Sequence, residues 1–454
     1  MTFADHIRAT LKLGLPLIGG QLAQVFIGVT DTVMMGWYGV EELAAVAIGS
    51  SLFYMFLILG MGFGLAVMPM VAAASARDDD RQIRRVTRMG LWIALGFAVL
   101  VMPVFWFSGA LLLVAEQTPQ IASDAQVYLR IAGLAIGPGV LLVVLRSHLS
   151  ALERPNIVLW AWLGGVVLNA GLNWVLIFGH LGAPEMGISG AATASLGTHV
   201  LILVILALYA ARADGLRHLS LFSRFWRPDW EALGQVFRLG WPIALTLLAE
   251  HGLFMATMIM MGWIGTLELA AHGIALQIIS ITFMVHIGLS SAATVRTGRA
   301  WSKNDPDGLR QAARAAFVLS AVTVVATVVL LITMAEPLVG LFVDPGDPLR
   351  PQIVAIGASL LVVACFFQLA DAAQVMALGL LRGVQDTGVP MVYAFISYWL
   401  IGVPLAYVFG LSLGWGGEGI WAGLAVGLAV AGVVLVVRFW RIAQRLPATG
   451  SEAP

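Results

Sequence analysis

Three carboxylates stand inside long apolar stretches of this sequence: Asp31, Glu250 and Asp371. Placing a carboxylate in hydrocarbon costs about 2.5–3.5 kcal/mol on insertion scales, so a cavity, a cation or a proton must offset that cost. No basic residue lies within two helical turns of Glu250 or Asp371 in the sequence. The alternative is a structural role, as a helix cap or an arginine partner, and Asp31 lies nearer the end of its stretch. These residue types indicate sites that bind a proton or a small cation.

Two amides extend this chemistry in the stretch 156–179. Asn169 and Asn173 are one helical turn apart, so they share one face of a helix. Carbonyl oxygens of amides are suitable ligands for hard cations such as Na⁺. A cation site formed by Asp31, Asn169 and Asn173, with Thr193 in support, is one interpretation. Hydrogen bonding between helices through the two amides is the other.

A polar stripe runs along the stretch 350–380. Gln368, Asp371 and Gln374 follow one another at positions i, i+3 and i+6 of a helix. Polar residues on a membrane helix face protein or water rather than lipid. We therefore expect Asp371 to lie inside the protein, with an amide on either side of it.

The composition indicates that lipid surrounds most of the chain. Of the 454 residues, 60% are hydrophobic and only 11% are charged, whereas soluble domains contain about 25% charged residues. The formal net charge is zero, which argues against nucleic acid as a partner. The single cysteine, Cys365, excludes an intrachain disulfide and a cysteine-clustered zinc site.

Hydropathy predicts an all-α membrane protein of twelve transmembrane helices. A span needs about 20 mostly apolar residues. A polar connector, 213–235, separates an N-terminal six-helix lobe (1–212) from a C-terminal one (236–445), and a tail (446–454) follows. The predicted spans are 10–36, 43–75, 89–114, 121–145, 156–179, 186–211, 236–262, 269–295, 311–335, 350–380, 390–411 and 418–438.

Basic residues predict the orientation of these spans. With the N-terminus in the cytoplasm, all but two of the 25 Lys and Arg residues fall on the cytoplasmic side, in loops or at helix ends. The two exceptions are Arg130 and Arg350. We therefore expect a multi-pass protein of the bacterial inner membrane with both termini in the cytoplasm.

The two halves repeat one another at an offset of 226 positions. Leu13-Gly14-x-Pro16 matches Leu239-Gly240-x-Pro242, and Met34-Met35-Gly36-Trp37 matches Met260-Met261-Gly262-Trp263. Six spans per half is an even number, so both halves insert in the same orientation. This is a parallel repeat, with a pseudo-twofold axis along the membrane normal.

The deep acidic residues are distributed unequally between the two halves of the repeat. The offset of 226 aligns Glu250 with Gln24 and Asp31 with Thr257. Later in the halves, where Arg146 to Pro155 echoes Arg382 to Pro390, Asp371 aligns near the apolar Ile136. The C-terminal half therefore contains two deep carboxylates and the N-terminal half contains one.

Several motifs resemble the multidrug and toxic compound extrusion (MATE) family, in its NorM-like bacterial branch, over essentially the whole chain. They are Asp31-Thr32-Val33-Met34, Ala271-His272-Gly273-Ile274-Ala275-Leu276-Gln277, Ala292-Ala293-Thr294-Val295-Arg296, Asp371-Ala372-Ala373-Gln374-Val375 and Leu381-Arg382-Gly383-Val384-Gln385-Asp386-Thr387. The resemblance implies two six-helix lobes and export of organic cations against an inward flow of Na⁺ or H⁺.

The resemblance also implies roles for particular residues. Coupling to the cation or proton falls to Asp31, Glu250 and Asp371, with support from Asn169, Asn173 and Thr193 and with Na⁺ at Asp31, Asn169 and Asn173. One departure is Phe367, where relatives often have a tyrosine. Candidates for lining the substrate cavity are Gln24, Gln277, Phe367, Gln368 and Gln374.

The sequence thus predicts an antiporter that exports amphipathic cationic drugs by alternating access. It is not expected to be an enzyme, to need a cofactor besides the coupling ion, or to bind nucleic acid, and we expect a monomer. One alternative is a lipid-linked oligosaccharide flippase of the same superfamily, which needs basic residues inside its cavity. The other is an integral membrane enzyme, which needs a convergent catalytic set. The sequence leaves the choice between Na⁺ and H⁺ open.

Overall fold

The computed structural model describes residues 2–446, with the backbone alone for residues 40–45. Met1 and residues 447–454, which make up most of the predicted tail 446–454, lie outside the described residues. Between residues 2 and 446 the secondary structure is helices joined by short turns, and no strand is present. This confirms the predicted all-α class.

Twelve helices are long and apolar enough to cross a membrane in the described part of the chain, as predicted. We number them α1–α12 in chain order. They are α1 (Phe3–Tyr38), α2 (Val40–Ser75), α3 (Asp80–Trp106), α4 (Pro119–Ala151), α5 (Pro155–Phe178), α6 (Ile188–Arg212), α7 (Trp230–Ile264), α8 (Thr266–Ser302), α9 (Pro306–Gly340), α10 (Arg350–Gly383), α11 (Gly388–Ser412) and α12 (Gly416–Arg445).

Several helices begin earlier than hydropathy predicts. α3 begins at Asp80 because Asp79 caps it, accepting a hydrogen bond from the Gln82 backbone N–H at 2.9 Å. Asp305 caps α9 in the same way, accepting from the Gly308 N–H at 2.8 Å. Capped polar turns extend a helix beyond its apolar part, and a hydropathy window cannot detect them.

Two boundaries differ more clearly from the prediction. The predicted span 89–114 is two helices, since α3 ends at Trp106 and a separate short helix covers Ser108–Val114. Phe107, between them, has a non-helical backbone with φ −107° and ψ 20°. The predicted connector 213–235 is also shorter, because α7 begins at Trp230.

α11 contains two π-helical segments, Ile396–Gly402 and Val408–Ser412, on either side of a short α-helical turn, Val403–Tyr407. Pro404 in that turn has no backbone N–H to donate. Single π-helical turns occur mostly as local widenings of α-helices and are frequent at functional sites.

The chain divides into two compact units. The first, here called the N-terminal unit, is Gly19–Ala244, and the second, the C-terminal unit, is Met1–Ile18 with Leu245–Pro454. The start of α1 thus groups with the C-terminal unit and the start of α7 with the N-terminal unit, which differs from the predicted lobes. Each division falls two residues after an intrahelical proline, Pro16 or Pro242, where a backbone hydrogen bond is missing.

α10 is the central helix of the C-terminal unit and is fixed by polar contacts with α8. The Ser290 hydroxyl donates to the Val375 carbonyl at 2.8 Å, and the Thr294 hydroxyl donates to the Gly379 carbonyl at 2.8 Å. Small residues at such crossings let helix backbones approach closely. These bonds fix the depth and rotation of α10 one turn after Asp371.

Candidate cation and substrate sites

Two buried carboxylates lie close together in the C-terminal unit. Asp371 on α10 is 1% exposed and Glu250 on α7 is 7% exposed. Each acts electrostatically on the other, and Gln374 faces Glu250. Two neighbouring carboxylates in a low-dielectric interior repel each other, so a proton or a cation must neutralise at least part of their charge.

The polar atoms of this group are largely without hydrogen-bond partners among residues 2–446. They include both Asp371 oxygens, Glu250 Oε1 and both amide atoms of Gln374. Buried polar atoms in native proteins normally have partners. The arrangement therefore offers several oxygens to a small cation, or to protons, at one place in the unit.

Arg382 lies within electrostatic range of Glu250. The sequence showed no basic residue within two turns of Glu250, and folding brings one in from the end of α10. The positive charge of Arg382 offsets part of the Glu250 charge. It does not offset the charge of Asp371, whose charged neighbour is Glu250.

The polar stripe of α10 faces the protein interior, as predicted, since Gln368, Asp371 and Gln374 are all buried. The Gln368 side-chain amide donates a hydrogen bond to the Thr282 hydroxyl of α8. Phe367 is also buried, with its ring centroid 6.0 Å from that of Phe254 and 5.4 Å from that of Trp421. The structure therefore places Phe367 in an aromatic cluster of the unit's core.

A second polar group lies in the N-terminal unit around Asp31. One Asp31 oxygen accepts a hydrogen bond from Asn173 Nδ2 at 2.6 Å, and the other accepts from the Ser195 hydroxyl at 2.5 Å. Asn173 Nδ2 also lies 3.3 Å from Asn169 Oδ1. The structure thus brings Asp31, Asn169 and Asn173 together, as the sequence suggested.

Thr193 makes a different contact from the one expected. Its hydroxyl donates to the Ser189 carbonyl of its own helix at 2.7 Å, whereas Ser195 reaches Asp31. The sequence does not single out Ser195, because only the rotation of α6 relative to α1 decides which hydroxyl reaches the Asp31 carboxylate.

Gln24 lies near a buried arginine in the N-terminal unit. The Arg146 guanidinium donates to the Gln21 side chain and lies 3.4 Å from Gln24 Oε1. The charge pattern predicts Arg146, like most of the basic residues, in a cytoplasmic loop or at a helix end. In the structure its side chain is buried beside Trp162. In the repeat, Gln24 matches Glu250, and the segment from Arg146 to Pro155 echoes the segment from Arg382 to Pro390, so each unit has an arginine near the matching residue of its first helix.

Gln277, the remaining candidate for the substrate cavity, is exposed on α8. The candidates thus fall into four settings: buried on α10 on either side of Asp371 (Gln368, Gln374), half-buried beside Arg146 (Gln24), in the aromatic core (Phe367) and exposed on α8 (Gln277).

Comparison with known protein families decides the identity at family level. The family model described as MatE matches residues 16–175 and 242–408, which together are more than half of the chain. The chain belongs to the MatE family. The two matched segments lie in the two halves of the repeat.

Curated relatives in this family cover almost the whole chain. A protein of Rhizobium meliloti (strain 1021) named "Probable multidrug resistance protein NorM" is 45% identical over 98% of this chain and 96% of its own length. A protein of the same name from Agrobacterium fabrum (strain C58 / ATCC 33970) is 42% identical over 97% of this chain and 95% of its own length.

Solved structures share the fold. An outward-facing multidrug resistance MATE family transporter of the MOP superfamily matches with a TM-score of 0.89 at 21% identity, covering 98% of this chain and 97% of its own. The eukaryotic MATE transporter AtDTX14 matches with a TM-score of 0.87 at 19% identity, covering 98% of each chain. The two-lobed twelve-helix fold predicted from the sequence is confirmed. The chain is a multi-pass membrane transporter and not an enzyme.

Proposed function

We propose that this chain is an antiporter that exports amphipathic organic cations and is driven by an inward flow of Na⁺ or H⁺. The observation that carries the proposal is the pair of neighbouring buried carboxylates, Glu250 and Asp371, with unpartnered oxygens. Such a pair is stable only when positive charge neutralises it. A coupling cation and a cationic drug both supply that charge.

Exchange follows if the two kinds of cation compete for the carboxylates. When Na⁺ or H⁺ neutralises Glu250 and Asp371, the attraction for an organic cation is lost and the drug leaves. When the coupling ion leaves, the negative charge returns and the next drug binds. The ion changes the conformational equilibrium only through its different affinity for the two states.

We infer a supporting cation site at Asp31. Its carboxylate and the carbonyl oxygens of Asn169 and Asn173 are of the chemical class that binds Na⁺ in proteins. Asn173 Oδ1 is buried and has no hydrogen-bond partner in the described part of the chain, so it can turn toward a cation. Ser195 replaces Thr193 as the hydroxyl in this group.

The relatives and the charge pattern support the rest of the proposal. Two relatives above 40% identity have names that include multidrug resistance, which favours drugs as substrates. The concentration of basic residues on one side of the spans favours cytoplasmic termini in a bacterial inner membrane. We propose a monomer with no cofactor beyond the coupling ion.

Proteoliposomes containing the purified protein test the proposal. Ethidium transport is measured with a Na⁺ gradient or a pH gradient imposed separately. We expect transport under one of these gradients and none without a gradient. Asp344→Asn, which neutralises an exposed loop carboxylate, serves as the control and keeps the parental rate. Ethidium movement that is equally fast without any gradient contradicts the proposal.

A further inference from the structure

Tyr398 is a fully buried tyrosine in the first π-helical segment of α11. Its side chain is 0% exposed, and its hydroxyl has no hydrogen-bond partner among residues 2–446. A buried hydroxyl without a partner destabilises the fold. Phenylalanine would fill the same space without that cost, so the hydroxyl calls for a functional explanation.

The neighbouring residue shows where Tyr398 lies. Trp399 donates its indole N–H to the backbone carbonyl of Ala249 at 3.2 Å, and Ala249 directly precedes Glu250. The Trp399 ring also packs against α7 at Gly252, where an added Cβ would lie 2.7 Å from the ring. The π-helical segment is therefore held against α7 at the level of Glu250.

Close backbone packing fixes the other side of this segment. A Cβ added at Gly427 of α12 would lie 2.6 Å from the Gly402 Cα, so the two helices touch through their glycines. With α7 on one side and α12 on the other, the Tyr398 side chain has little freedom to move. Its hydroxyl lies within electrostatic range of Glu250, Asp371 and Arg382.

The oxygen of a phenol hydroxyl has lone pairs that can bind a cation or accept a hydrogen bond from a protonated carboxyl. With a cation present, its oxygen adds a neutral ligand to those of the carboxylates. Glu250 has the Arg382 charge nearby, whereas neither Asp371 oxygen has a hydrogen-bond partner among residues 2–446, so an ion beside Asp371 gains most from an added oxygen.

We propose that Tyr398 is a further member of the coupling site, its hydroxyl oxygen providing a neutral ligand to the cation, or a hydrogen-bond acceptor to the proton, bound at Asp371. This inference rests on the proposed function, since it presumes that Glu250 and Asp371 bind the coupling ion. The charged groups within electrostatic range of Tyr398 are Glu250, Asp371 and Arg382, from α7 and α10.

The test is Tyr398→Phe in the same proteoliposomes, with Tyr407→Phe as the matched control. Tyr407 lies on the same helix and its side chain is exposed. We expect Tyr398→Phe to raise the concentration of coupling ion needed for half-maximal ethidium transport about tenfold, because one neutral oxygen ligand of the bound ion is lost. The maximal rate at saturating ion stays within about twofold of the parent. Tyr407→Phe leaves both values unchanged.

Thermal unfolding in detergent separates this role from a structural one. If Tyr398 belongs to the site, Tyr398→Phe melts at the parental temperature or above without coupling ion, and the stabilisation by added Na⁺ or acid is smaller. A lower melting temperature with an unchanged ion-induced shift shows a packing role and overturns the inference.

Asp371→Asn distinguishes failure of the inference from failure of the proposed function. If Asp371→Asn abolishes gradient-driven transport while Tyr398→Phe keeps the parental ion dependence, only the inference is wrong. If Asp371→Asn still couples at the parental rate, the proposed function of this site fails as well.

Discussion

The carboxylates Asp31 and Asp371 lie in different units and differ in how their oxygens are satisfied. Each Asp31 oxygen accepts a hydrogen bond, from Asn173 or Ser195. Neither Asp371 oxygen has a partner within the described chain, and its charged neighbour is another carboxylate, Glu250. Donor hydrogen bonds stabilise a carboxylate in its charged form, whereas a buried carboxylate without donors requires a proton or a cation.

The two arginines show the same contrast. Arg146 contacts the neutral amides of Gln21 and Gln24, while Arg382 lies near the charged Glu250. Each half of the repeat thus contains an arginine. It lies beside amides in the N-terminal unit and near a carboxylate in the C-terminal unit. The comparison suggests that the C-terminal unit responds most strongly to the coupling ion, and that the N-terminal group has a supporting role.

The largest effect is expected from Asp371→Asn. The change keeps the side-chain shape and removes a buried charge, so the protein should insert and fold at least as well as the parent. Gradient-driven ethidium efflux should fall to the level of protein-free liposomes, because nothing remains at this position for the ion to neutralise. Efflux at the parental rate from a well-expressed variant would refute the coupling role of Asp371.

Glu250→Gln makes the C-terminal unit resemble the N-terminal one, where Gln24 occupies the matching position. We expect loss of gradient-driven transport similar to that of Asp371→Asn. The double variant should be little worse than either single variant, because both residues serve one exchange cycle. Additive losses in the rates of the three variants would show that the two carboxylates act independently.

Asn173→Ala should have a smaller effect. It removes one of two hydrogen bonds to Asp31 and one candidate cation ligand, while Ser195 keeps its bond. We expect the ion concentration for half-maximal transport to rise about three- to tenfold, in keeping with the loss of one hydrogen bond, with expression intact. An unchanged ion dependence would return the two amides to a role in helix packing.

The smallest effect is expected from Asp229→Asn, which alters a carboxylate outside the membrane spans. Asp229 accepts hydrogen bonds from the Arg85 guanidinium at 2.5 and 3.0 Å, and these bonds lower the pKa of its carboxyl below the usual range. A lowered pKa adds stability at neutral pH that is lost as the pH falls through the folded-state pKa.

Solvent screens this partly exposed pair, so the loss of stability at pH 7 should be about 1 kcal/mol or less. The difference in melting temperature between Asp229→Asn and the parent should disappear in acid, below the usual carboxyl pKa of about 4. Ethidium transport at pH 7 should stay parental. A transport defect as large as that of Asp371→Asn would show that a fully hydrogen-bonded carboxylate matters as much for transport as an unpartnered one.

Much of the fold was predictable because lipid imposes strong constraints on sequence. Twelve apolar stretches had to be helices, since a helix satisfies its own backbone hydrogen bonds in hydrocarbon. The cost of burying charge singled out Asp31, Glu250 and Asp371, and the one-turn spacing of Asn169 and Asn173 predicted their shared face. The same reasoning missed the break at Phe107 and the capped helix starts, because these depend on backbone geometry rather than on hydropathy.

The sequence by itself determined the helix count, the repeat and the identity of the buried carboxylates, since each follows from transfer free energy and periodicity along one chain. Only the tertiary structure decided which side chains surround those carboxylates. Ser195 rather than Thr193 reaches Asp31, Arg382 lies near Glu250, and Tyr398 in the π-helical segment of α11 lies within electrostatic range of Glu250 and Asp371. The rotation and depth of each helix come from its packing against others, through contacts such as those of Ser290 and Thr294 with α10, and a single helix carries no information about them.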